Sequence, residues 1–194
     1  PGWEFLTKSG WSATISPKLF YEDVSQAFEL TDEAEVPVGS YTFAGLSGRI
    51  HTPGGNYLSG VFLVDAGSFY DGYRISLGYM PQWTIVPDLE LSGMLQWNQV
   101  WFPVRDQKFL ALLGQIRILA TLSTKFSVSA LFQYEAEEDS MVTNVRLRFN
   151  PVEGTDVYLV YNDGLNVDRS GKIPLPPLTS ARALLLKINY TFNF

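Results

Sequence analysis

The sequence predicts an all-β fold, an antiparallel up-and-down transmembrane β-barrel with about ten strands in this chain, and three regularities predict it. Apolar residues recur at every second position in segment after segment. The connections alternate between compact turns and longer, more charged loops, and aromatic residues gather near the segment ends. No segment has a helical period, and no apolar run approaches the roughly 18 residues of a membrane-spanning helix. Such a chain crosses a bilayer with strands or not at all.

In chain order the alternating segments are 11–22, 41–52, 56–68, 73–84, 89–102, 109–122, 126–136, 140–150, 156–163 and 181–194. Their lengths suit tilted strands, which cross a bilayer with roughly 9–11 residues. An even number leaves both chain ends on one side. For the barrel to close, WSATISP of the first segment must lie antiparallel to LLLKINYTF of the last; Pro17, which cannot donate to a ladder, is then expected at the rim or at a bulge.

The connections HTPGGNY (51–57), TIVPDL (84–89), LSTKFS (122–127) and NPVEGTDV (150–157) carry Pro, Gly, Asp and Ser, which fix tight turns. Those at 22–40, 69–72, 103–108, 135–140 and 162–180 are longer or more charged, apart from the short FYDG. Short turns on one side and long loops on the other suit an outer-membrane barrel with both termini periplasmic.

The faces follow from the alternation. In 109–122, Leu110, Leu112, Gly114, Ile116, Ile118 and Leu122 oppose Gln115, Arg117 and Thr121. In 126–134, Phe126, Val128, Ala130, Phe132 and Tyr134 oppose Ser127, Ser129 and Gln133. In 141–149, Met141, Val145, Leu147 and Phe149 oppose Asn144, Arg146 and Arg148. Arg74 and Glu90 fall on the polar sides of two further strands, as Lys187 does on the last. A soluble sandwich or lipocalin-like barrel would alternate too. Against it stand Trp83, Trp97, Trp101 and Tyr190 near strand ends, where membrane interfaces favour amphipathic rings, and polar faces of Ser, Gln, Asn and Arg rather than a Lys/Glu cover.

The formal charge of −6 excludes a general nucleic-acid binder, and the absence of cysteine excludes disulfides and thiolate sites. There is no G-x-S-x-G, P-loop or H-E-x-x-H, so no enzyme activity and no cofactor are expected. The only histidine, His51, stands in the turn sequence RIHTPGG and reads as a surface residue. Carboxylates cluster in three loops: Glu22, Asp23, Glu29, Asp32, Glu33 and Glu35; Glu135, Glu137, Glu138 and Asp139; and Asp163 with Asp168. Without EF-hand spacing they read as solvated loop charges rather than a metal site.

Arg74, Glu90, Arg117, Arg146, Arg148 and Lys187 are the lumen-facing candidates. The basic ones either form a wall that favours anions or pair with Glu90, Glu135 or Asp65 and fill a narrow lumen; pairing is the expectation for an isolated barrel of ten strands, and the anion-favouring wall for a larger barrel widened by upstream strands.

GSFYDGYRISLGYMPQW, TKFSVSALFQYEAEED, NVRLRFNPVEGTDVYLVYNDG and the final LLLKINYTFNF resemble the C-terminal barrel of an uncharacterised bacterial outer-membrane protein family. Members often carry an N-terminal domain like family-9 carbohydrate-binding modules. The resemblance spans nearly the whole chain, most densely from about Val36. It implies that 1–194 is an outer-membrane barrel domain, the C-terminal part of a longer protein. The apolar alternation ending in Tyr190, Phe192 and Phe194 resembles the signal read by the barrel-assembly machinery. Outer-membrane lipid, lipopolysaccharide, that machinery and a missing N-terminal domain or partner subunits are the partners implied. The expected role is a pore or membrane-embedded scaffold; the alternative is an anchor for a surface or periplasmic carbohydrate-binding protein or hydrolase whose active domain lies elsewhere.

Overall fold

The computed structural model describes residues 2–31, 34–55, 57–170 and 173–191. They form β1 (Trp3–Leu6), β2 (Ser12–Val24), β3 (Phe28–Thr31), β4 (Ala34–Val36), β5 (Gly39–His51), β6 (Leu58–Phe69), β7 (Gly72–Val86), β8 (Leu89–Phe102), β9 (Gln107–Ser123), β10 (Phe126–Glu135), β11 (Ser140–Phe149), β12 (Thr155–Asn166) and β13 (Thr179–Tyr190). Eleven strands make one sheet in the order β1-β2-β5-β6-β7-β8-β9-β10-β11-β12-β13, and β3 and β4 make a ribbon of their own. With the ribbon set aside, neighbours in the sheet are neighbours in the chain. That is the meander which period-2 segments joined by turns produce.

The ten expected long segments appear as β2 and β5 to β13. They run from 10 residues in β10 and β11 to 17 in β9, enough for the roughly 9–11 residues of a bilayer crossing. Among the described residues no helix is long and apolar enough to cross a membrane. Three strands were not expected: β1, and the β3–β4 ribbon inside the acidic stretch 22–40.

Two further expectations are corrected. Pro17 is neither at a rim nor at a bulge: it pairs with Leu46 inside an unbroken β2–β5 register. And β1 lies along β2 from Ser12 to Ile15, on the edge where WSATISP was expected to meet the last strand.

The chain divides into two compact units, Pro1–Pro81 with Leu95–Leu112, and Gln82–Met94 with Leu113–Phe194. In the first, directly opposed residues define the faces. Ile15–Gly48, Pro17–Leu46 and Leu19–Ala44 share one, with Ile50–Phe62 and Gly48–Val64; Ser16–Ser47, Lys18–Gly45 and Phe20–Phe43 share the other, with Ser47–Asp65. In the second unit Val128–Leu147, Ala130–Val145, Leu159–Leu186 and Val157–Ile188 share the apolar face.

Burial separates this fold from a soluble domain. Among the described residues only Val24, Ala34, Val36, Val100 and Phe102 are buried hydrophobics, whereas Leu19 is 74% exposed, Leu122 and Leu186 67% and Ile188 63%. A soluble chain of this length would hide most such side chains. Here the alternating apolar faces stay uncovered, and the small dry cluster that does form lies where β3–β4 meets the polar face of β8. Ala34, Val100 and Phe102 are packed there against Leu30, Phe69, Tyr70 and Phe109.

Candidate functional site

The second unit brings the predicted basic residues together by register. Arg148 lies in line with Ser127, Tyr158 and Lys187; one step along, Arg146 lies with Ser129 and Val160; a further step along, Arg117 lies with Leu131 and Asn144. Arg117, Arg146, Arg148 and Lys187 therefore share the polar face, as the alternation predicts. Arg148 is compensated, its Nη2 lying 2.7 Å from Asp156 Oδ1, which Asn150 also donates to at 3.1 Å. Arg117, Arg146 and Lys187 form no ion pair among the described residues.

This corrects the expected pairing with Glu90, Glu135 or Asp65. Glu135 is opposite Ser140, six residues and thus roughly 20 Å along β11 from Arg146. Glu90, half-buried on β8, enters no ion pair either. Asp65 is taken by Lys18 and Ser47, and Arg74 lies over the Phe69 ring, 4.7 Å from its centroid. The acceptor that sequence reasoning missed is Asp156, across the tight turn from Arg148.

In the first unit the β3–β4 ribbon is fastened to the strand ends. Arg105, in the turn after β8, donates to both carboxylate oxygens of Asp71, to the Glu35 carbonyl and to Gln107, and its guanidinium lies 4.2 Å from the Phe102 ring centroid. Beside it, Tyr70 closes the FYDG turn with φ 53°, a left-handed conformation that costs a non-glycine residue free energy. Packing offsets that cost. The Tyr70 ring is 5.0 Å from Phe43, 5.1 Å from Tyr41 and 6.0 Å from Phe28, all edge-on. Its hydroxyl donates to Glu22 at 3.3 Å, and burial first, then the Glu22 carboxylate, raises the phenol above its ordinary pKa. Sequence reasoning missed Arg105 and Tyr70 because their partners come from distant parts of the chain, Asp71 and Glu35 for the one and Glu22, Phe28, Tyr41 and Phe43 for the other.

The remaining candidates are quickly placed. His51 ends β5 on the polar face, opposite Ser12 and Val61, with no hydrogen bond to Ser12. Among the described residues no three His, Asp or Glu side chains gather to hold a metal ion. Asp23 accepts from Ser40, Asp163 from Arg182 and Tyr161, and Asp168 from Ser170; Asp32 and Glu33 lie outside the described residues. Of the assembly-signal residues, Tyr190 ends β13 on the apolar face opposite Thr155, and Phe192 and Phe194 lie outside the described residues.

The fold and its faces define a class: long antiparallel strands in a meander, with one uncovered apolar face and one polar face. No family model and no curated protein sequence matches the chain. Similar solved structures include a NanC porin, 9% identical with a TM-score of 0.45, covering 98% of this chain and 91% of that one. A KdgM porin in complex with disordered oligogalacturonate is 9% identical at TM-score 0.38, covering 99% and 90%, and a KdgM porin is 11% identical at 0.38, covering 99% and 96%. At these values the likeness is one of strand arrangement alone.

Proposed function

We propose that this chain is a β-barrel of the bacterial outer membrane that serves as a pore or membrane-embedded scaffold, with its C-terminus periplasmic, on the short-turn side. One observation carries the reading: one face of the long strands is apolar and uncovered, while only five hydrophobic residues among those described are buried. In water such a surface would drive aggregation; in a bilayer it is the lipid-facing wall. Outer-membrane lipid and lipopolysaccharide are then its surroundings, and the barrel-assembly machinery is the partner that inserts it. The resemblance to C-terminal barrels that follow a carbohydrate-binding-like domain supports reading the chain as the membrane part of a larger protein.

The polar face then lines the lumen, and the uncompensated Arg117, Arg146 and Lys187 give it a preference for anions. Purified protein in planar bilayers tests this. Discrete conductance steps with an anion-favouring reversal potential are expected; Arg146→Gln lowers the preference, and Asp156→Asn, which releases Arg148, raises it. Absence of steps, or both variants shifting selectivity the same way, overturns the reading.

A further inference from the structure

Gly45 and Gly67 are partners across β5 and β6 on the polar face. Neither position admits a side chain: a Cβ on Gly45 would lie 2.8 Å from the Ala66 carbonyl oxygen, and one on Gly67 would run into the Ala44 carbonyl oxygen and the Gly45 Cα. The backbones approach so closely that glycine is required on both sides. The consequence is a gap in the side-chain layer, continued by a cavity of about 250 Å³. One step along the strands on one side lie Phe20 and Phe43, opposed in register, with Phe69 6.1 Å from Phe43 between ring centroids. Lys18, directly opposite Gly45, is paired with Asp65, which lies one step along on the other side and also accepts from Ser47. Arg74, Ser68, and Tyr70 with its partner Glu22 also line it.

The composition of that recess selects a ligand class. Phenyl rings on one side offer apolar faces. On the other, the cationic and anionic groups balance, Lys18 and Arg74 against Asp65 and Glu22. Lys18 and Asp65 already satisfy each other, so a charged ligand would have to break their pair, whereas hydroxyl groups can bond to its outer edge without separating it. A six-membered ring with C–H groups on its face and hydroxyls at its rim meets both requirements.

We infer that the recess over Gly45 and Gly67 binds the neutral pyranose ring of a saccharide, stacked on Phe43 and Phe20 and hydrogen-bonded at the Lys18–Asp65 edge. This goes beyond the pore reading, because the recess is complete within the first unit. The test is saturation-transfer NMR on the detergent-solubilised chain with methyl β-glucopyranoside, the methyl glucuronide and phenylalanine as probes. Transfer to the neutral glycoside is expected, unchanged from low to high salt, and about threefold to tenfold weaker binding in Phe43→Leu, the range of an aromatic contact. Phe20→Leu, whose side chain is 58% exposed, provides a second variant should the first fold poorly. Transfer only to the glucuronide or to phenylalanine, transfer unaffected in both variants, or none to the folded wild-type chain overturns the inference. Conductance without glycoside binding removes this site and leaves the pore standing.

Discussion

Arg105 reaches from the turn after β8 to Asp71 in the turn after β6 and holds both carboxylate oxygens, at 2.7 Å each. The same guanidinium donates to the Glu35 carbonyl of the β3–β4 ribbon. One planar cation thus ties three chain segments together, a geometry that a lysine ammonium does not reproduce.

Arg105→Ala should therefore loosen the ribbon before anything else. Losing hydrogen bonds from a charged donor costs about 1.5–3 kcal/mol. Amide hydrogen exchange at 28–36 should rise while exchange in β10 to β12 stays slow. Unchanged protection at 28–36 would show that packing alone holds the ribbon.

The two faces of β9 should respond oppositely to the same chemistry. Ile116 is 53% exposed on the apolar face, so in the proposed barrel Ile116→Arg places a charge in lipid and should destabilise the inserted protein by roughly 2–4 kcal/mol. Arg117→Ile, on the polar face, should cost much less. Unfolding titrations in lipid vesicles measure both; equal costs, or the reverse order, would mean that the faces are exchanged.

Phe194 belongs to the terminal alternation that resembles an assembly signal. Phe194→Ser should reduce surface yield in cells while leaving the melting of the protein that does insert nearly unchanged. A normal yield would remove the residue from the signal.

The long strands were legible because each spends its whole length with one face in each environment, so every second residue repeats the message. The β3–β4 ribbon was not, although Phe28 and Leu30, then Ala34 and Val36, alternate inside the acidic stretch and were its only trace. Strands of 4 and 3 residues carry too few repeats to be told from chance. The shared face of Arg117, Arg146, Arg148 and Lys187 follows from parity, a local property. Partners such as Asp156 for Arg148, or Asp71 for Arg105, depend on register and on which turns meet. The Gly45–Gly67 recess is of the same kind: each glycine is visible in the sequence, but their opposition is not.

The dry cluster under the β3–β4 ribbon is held together by exclusion of water, whereas in the proposed barrel the strand walls take their surroundings from lipid. The two parts therefore answer to different solvents. In vesicles, urea acts from the aqueous side and should dissolve the ribbon cluster at a concentration the walls withstand. A change of acyl-chain length should move the unfolding of the walls and leave the cluster's transition where it was. Heat applied to the inserted protein should then give two calorimetric steps, and only the earlier, smaller one should carry the heat-capacity increment of apolar side chains meeting water.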